Sequence, residues 1–254
     1  MKPSDNRGYI AGTSHDHFMI RGNATMEISD EISKIMEAYM RRERITKLER
    51  YRQLNRYAQK KRIVFAGSSL AEQFPIHELA YGLPDCPVIY NRGIGGDTTG
   101  DMLCGDSMDV CIFELEPSRL FINIGSNNIG EEDYNQEKLI ENYTEILARI
   151  QKRMPETEVF LLSYYPVNPE KESLFSPEEK RMMFASRTNT AIRDANSEVK
   201  KLAGRYGYGY IDVSSVLTDG NGALKADYTV EGIHLWPDAY ARVLEVLKPY
   251  LLVR

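Results

Sequence analysis

From Arg62 onward the chain alternates short β-branched or aromatic runs with longer stretches of helical period. The runs at 63–66, 88–91, 120–124, 159–164 and 208–213 predict strands. Three of them, "IVFA", "LFINI" and "VFLLSYY", are almost continuously apolar. Strands that carry helices on both faces have that composition. Helical periods predict helices at 71–81, 98–103, 136–154, 177–206 and 237–252. Pro237 suits the first turn of the last one, where its missing N–H costs nothing. This alternation predicts a single α/β domain. A proline-rich loop at 166–179 follows the fourth strand, where a lid or substrate wall belongs.

Ahead of this domain the rhythm is different. Residues 1–24 are polar without a period and are expected to be irregular. Residues 27–59 predict one long helix, on which Ile28, Ile32, Ile35, Tyr39 and Met40 form an apolar stripe. Such a stripe needs a cover, either the main domain or a second copy of the chain in a homodimer. The division expected is therefore an extension at 1–58 and a main domain at 59–254.

Composition narrows the class. A chain of 254 residues that is 42% hydrophobic can bury one sizeable core. No apolar run reaches the roughly 20 residues that span a bilayer, so no integral membrane segment is expected. The start "MKPSDNRGYIAGTSHDHF" lacks the apolar stretch of a secretory signal. Cys86, Cys104 and Cys111 are odd in number and have no metal-ligand spacing, so reduced, buried thiols and a cytoplasmic location are expected. Net charge is −5, but residues 41–62 carry ten Lys or Arg against two Glu, leaving −13 on the remainder. That run could attract nucleic acid or an anionic membrane. Tyr51, Leu54 and Tyr57 repeat within it at helical spacing, which favours a solvated helix face lying against an acidic domain or subunit and no nucleic-acid partner.

In an open parallel sheet, ligands bind beyond the carboxyl ends of the strands. The residues that follow the strands here are Gly67-Ser68-Ser69, "RGIGGDTT" at 92–99 and "GSNN" at 125–128. "EGIHLWP" at 231–237 precedes the last helix. A serine needs a base, usually histidine, and an acid to orient that base. The tetrahedral oxyanion needs preorganised donors, which a glycine turn and an asparagine amide can supply. Each motif has a plainer alternative. Ser68 or Ser69 could cap a helix, Asp97 or Thr98 could do the same, "GSNN" could be a turn, and His234 could be structural. "GIGGDTT" lacks the third glycine of a dinucleotide loop, and "GSSLA" lacks the last glycine of a nucleophile elbow. His15, His17 and His77 form no metal set with His234, so neither metal nor cofactor is expected.

The combination resembles the SGNH, or GDSL-type, esterase and lipase family. The blocks that carry the resemblance are Gly67-Ser68-Ser69-Leu70, "NRGIGG", Gly125-Ser126-Asn127-Asn128 and Glu231-Gly232-Ile233-His234, across residues 60–252. The wording "GIGGDTT" and "GSNN" is similar to the branch of platelet-activating-factor acetylhydrolases. The resemblance implies a three-layer α/β/α sandwich with a five-stranded parallel sheet in flavodoxin-like order. It implies Ser69 as nucleophile, with Ser68 standing where the family has aspartate. His234 would be the base. The N–H groups of Ser69 and Gly96 and the side chain of Asn127 would form the oxyanion hole. The acid position holds Glu231 in place of aspartate, and a backbone carbonyl is the other group that could orient His234. The activity implied is hydrolysis of a small-molecule carboxylic ester, with a short acyl group such as acetyl. The alternatives are a lysophospholipase or thioesterase on longer chains, and a degenerate hydrolase serving as a binding module.

Overall fold

The computed structural model describes residues 15–83 and 87–252, with side chains from residue 31 onward. In chain order the elements are α1 (His15–Asn55), β1 (Ile63–Gly67), α2 (Ser69–Glu72), α3 (Ile76–Ala80), β2 (Ile89–Gly93), α4 (Thr99–Leu103) and α5 (Ser107–Cys111). There follow β3 (Arg119–Asn123), α6 (Ser126–Ile129), α7 (Gln136–Arg153), β4 (Glu158–Leu162), α8 (Pro177–Met183), α9 (Asn189–Tyr206), β5 (Gly209–Ile211) and α10 (Pro237–Leu251). The strands form one parallel sheet in the order β2-β1-β3-β4-β5, as the family resemblance implied.

Side-chain alternation explains the continuous apolar runs. Along β1, Val64 and Ala66 enter a core shared with α7 and α9, while Ile63 and Phe65 enter a second core shared with α3 and α10. A strand buried on both faces has no polar positions to give away. On the second side Phe65 stacks on Phe121 with ring centroids 4.7 Å apart, and Phe121 stacks on Phe160 at 5.1 Å. These three are direct neighbours across β1, β3 and β4, so the aromatic row also fixes register.

Several expectations need correction. Residues 15–24 are helical, so α1 begins before the expected start at 27; residues 1–14 lie outside the described chain. The chain divides into two compact units between Thr46 and Lys47, not at 58. The reason lies in the last turns of α1. Leu48 is buried in the core, the Tyr51 hydroxyl donates to the Gly93 carbonyl at 2.6 Å, and the buried Asn55 amide donates to the Val110 carbonyl at 2.8 Å. In the first unit Ile32, Ile35, Met36, Tyr39 and Met40 are each more than half exposed. Ile28 lies outside the residues with described side chains.

The helix expected at 71–81 is two short ones, α2 and α3, because Pro75 interrupts it. The helix expected at 177–206 breaks at residues 184–188, and Thr188 caps α9 by accepting from the Ala191 N–H. Cys111 is buried but Cys104 is exposed, because it ends α4 at the surface; Cys86 lies outside the described residues.

In the expected basic run, Lys47 pairs with Glu72, Arg52 with Asp106 and Lys60 with Glu116. Those residues therefore tie the end of α1 and the segment after it to acidic neighbours in the main unit. Among the described residues no helix is long and apolar enough to cross a membrane.

Candidate active site

The chain passes from β1 to β2 on one side and then returns to lay β3 on the other side of β1. The carboxyl ends of β1 and β3 thus flank the point where strand order reverses, the usual place for a ligand crevice. Ser69 opens α2 directly after β1, and Asn127 lies in α6 just beyond β3. As the first residue of a helix, Ser69 has no upstream helical carbonyl to accept its N–H. Ser68 is different. It is fully buried, makes no capping bond, and lies 3.4 Å from the Ser126 hydroxyl.

Residues 229–235 fold into a tight loop that presents His234. Thr229 is buried and pairs with Leu235 in an antiparallel bridge. Its hydroxyl donates to the His234 carbonyl at 2.8 Å and accepts from the Gly232 N–H at 2.9 Å. Gly232 adopts φ +110°, and a Cβ there would meet the Asn168 carbonyl at 2.4 Å, so only glycine fits.

The loop brings three side chains into line. His234 Nε2 lies 3.0 Å from Ser69 Oγ, and Nδ1 lies 2.5 Å from Glu231 Oε1. The same Glu231 oxygen also accepts from the His234 backbone N–H at 3.1 Å. Glu231 is buried. Burial pushes its carboxyl upward, but the hydrogen bonds it accepts from the His234 ring and backbone help outweigh this and leave it below the ordinary value of 4.5. An ionised carboxylate only accepts, so the imidazole proton sits on Nδ1 and Nε2 is left to accept from Ser69.

The second loop forms a turn across Ile94–Asp97, closed by the Asp97 N–H donating to the Ile94 carbonyl at 3.2 Å. Gly96 occupies its third position at φ +83°, a conformation that favours glycine. The turn is tied on both sides. The Gly95 N–H donates to Glu72 Oε2 at 2.5 Å, and Lys47 pairs with the other oxygen of that carboxylate. Asn127 Nδ2 donates to the Asp97 carbonyl at 3.0 Å. Asn128 Oδ1 accepts from both the N–H and the hydroxyl of Thr99, at 2.9 and 3.1 Å. Thr98 caps α4 in a capping box with Asp101, the plainer role considered for it.

The residues named from sequence therefore meet at one rim. Three others were missed. Glu72 and Lys47 brace the glycine turn, and Arg187 reaches the Asn127 amide from the break before α9, with Nη2 3.4 Å from Oδ1. Arg187 follows no strand and sits in no motif, so the sequence carries no signal for it.

A family model for GDSL-like lipases and acylhydrolases matches residues 65–242. The chain belongs to that family. This GDSL-like protein is accordingly a carboxylic ester hydrolase. A solved structure from Streptococcus pneumonia, provisionally described as a platelet activating factor, is 30% identical over 88% of this chain and 99% of that one, with a TM-score of 0.77. A GDSL-like lipase from Bacteroides thetaiotaomicron is 21% identical over 80% and 96% of the two chains, with a TM-score of 0.64. An acetylxylan esterase from Geobacillus stearothermophilus shares the fold at 12% identity over 78% and 96%, with a TM-score of 0.58. A search of curated proteins finds no match.

Proposed function

We propose that this hydrolase cleaves a short-acyl ester through Ser69, His234 and Glu231. The observation that carries the reading is the unbroken line from Ser69 Oγ through the imidazole to Glu231, at 3.0 and 2.5 Å. Ser69 attacks the ester carbonyl as His234 Nε2 takes its proton, and the Glu231 carboxylate stabilises the imidazolium. The N–H groups of Ser69 and Gly96 and the Asn127 amide receive the oxyanion. His234 then gives its proton to the leaving alcohol, and water releases the acyl group by the same steps in reverse roles.

The acyl group we assign is small, acetyl in the first instance. Leu70 and Ile233, the chain neighbours of Ser69 and His234, share the walls of a cavity of about 10 Å³ with Ser126, Pro166, Val167 and Arg187. That is room for about one water-sized group, the scale of an acetyl methyl. Pro166 and Val167 come from the loop after β4, which would thus serve as a substrate wall. The fold shared with acetylxylan esterases is consistent with acetyl transfer to water. An acyl-length series of p-nitrophenyl esters tests the assignment. Acetate should have the highest kcat/KM, with a steep fall by butyrate, and a preference for octanoate or longer would overturn it.

We also assign the exposed stripe on α1 to a second copy of the chain. Residues 27–37 carry Glu27, Asp30, Glu31 and Glu37 against Lys34, while residues 41–50 carry five Lys or Arg against two Glu. An antiparallel pairing of two such helices sets each acidic half beside the other's basic half and covers Ile32, Ile35 and Tyr39.

A further inference from the structure

We propose that Arg187 is a positioning residue for Asn127, holding the amide oxygen so that the amide nitrogen faces the oxyanion. This rests on the reading of Asn127 as an oxyanion donor. The two neighbours of the Asn127 side chain have fixed and opposite characters. The Arg187 guanidinium can only donate, and the Asp97 carbonyl can only accept. With Arg187 Nη2 at 3.4 Å from Oδ1 and the Asp97 oxygen at 3.0 Å from Nδ2, one orientation of the amide satisfies both. The reverse would set N–H against N–H and oxygen against oxygen. In the orientation present, Nδ2 spends one hydrogen on Asp97 and keeps the other for the substrate.

The surroundings are shaped around the guanidinium. Gly130 ends α6, the helix that carries Asn127, and a Cβ on it would lie 2.1 Å from Arg187 Nη2 and 2.5 Å from Cζ. The missing side chain at 130 is what gives the guanidinium its seat. Arg187 Nε is buried and has no hydrogen-bond partner among the described residues. Burying a cation with an unused donor costs free energy, so folding alone gives no reason for its place here. The charge of Glu231 offsets part of that burial.

The test is a double-mutant cycle on kcat and KM with p-nitrophenyl acetate. Asn127→Ala should lower kcat by about 10²–10³-fold, the cost of one oxyanion donor. Arg187→Met should lower kcat by about tenfold with KM little changed, because Asp97 alone still biases the amide. In the Asn127→Ala background, Arg187→Met should cost almost nothing, since the group it positions is gone. Gly130→Ala, at a backbone φ of −91° that alanine tolerates, should displace the guanidinium and reproduce the Arg187→Met pattern in both backgrounds should the methionine variant not fold. A neutral Arg187→Met, or a loss that persists undiminished without Asn127, overturns the proposal while leaving the oxyanion reading intact. An Asn127→Ala enzyme within a few-fold of wild type removes both.

Discussion

Replacing Glu231 by glutamine isolates one quantity, the charge of the carboxylate. Glutamine has the same shape, and the place its oxygen must occupy is fixed by two donors, the His234 Nδ1–H at 2.5 Å and the His234 backbone N–H at 3.1 Å. A backbone N–H cannot accept, so an amide turned nitrogen-first toward His234 would forfeit that bond. The working tautomer is therefore retained, and the variant loses the attraction between the carboxylate and the imidazolium that forms as Ser69 gives up its proton. Two unit charges about 4 Å apart at an effective dielectric of about 20 attract by about 4 kcal/mol. At about 1.36 kcal/mol per decade, that corresponds to about 10³ in kcat. The His234 side chain is about a third exposed, and solvent screening pulls the expected loss into the range of about 10²–10³. A loss near 10⁴, the scale of a reversed tautomer in a serine protease, would mean that the backbone donor does not hold the amide. The assay is steady-state hydrolysis of p-nitrophenyl acetate at neutral pH, with thermal unfolding alongside. The Glu231 carboxyl sits below its ordinary 4.5 in the folded protein. Its stabilising contribution is therefore complete above that value and is lost as pH falls through the folded-state value. The stability gap between wild type and Glu231→Gln should accordingly narrow in acid. Glutamine activity within a few-fold of wild type at neutral pH would take Glu231 out of the mechanism.

Ser69→Ala should abolish activity, whereas Ser68→Ala should leave most of it, because Ser68 is sealed beneath the site; a fluorophosphonate adduct mapped to Ser68 by mass spectrometry would reverse the assignment. Glu72→Gln should lower kcat more than it alters KM, because it loosens the Gly95 N–H and the turn that carries Gly96; an unchanged kcat would show the turn holds itself. Replacing Ile32, Ile35 and Tyr39 together by serine should convert a dimer to a monomer in sedimentation velocity without changing kcat. A wild-type chain that sediments as a monomer at high concentration would refute the helix pairing.

How far sequence carried the site depends on what each residue answers to. Ser69, Gly96, Asn127 and His234 could be named as candidates because each follows a strand or precedes a helix, and parallel topology gathers such positions at one edge. The strands were legible for a related reason: Val64 and Phe65 face opposite cores, so β1 has no polar position to blur it. The helix boundaries were less so. The 177–206 period runs across the break at 184–188 without glycine or proline, and only the capping threonine at 188 marks it. Arg187 was hidden by that same break.

The placement of Lys47, Glu72 and Arg187 explains why the motifs alone understate this site. In the proposed mechanism the motif residues supply the donors and the proton path, but a donor is useful only if it is already aimed when charge appears. Aim comes here from groups outside every motif. Lys47 holds Glu72, Glu72 holds the Gly95 N–H, and the Asp97 carbonyl of the same turn holds one side of the Asn127 amide while Arg187 holds the other. The turn and the amide are thus one connected unit, braced from the end of α1 at Lys47 and from the break before α9 at Arg187. A chain trimmed to the motif blocks, starting at residue 60, would keep the serine, the histidine and the asparagine but lose Lys47 and the core contact of Leu48. Coupling of this kind makes a specific demand on experiment. Losses from Glu72→Gln and Asn127→Ala should combine to less than their product, because both act on the same pair of oxyanion donors through one turn.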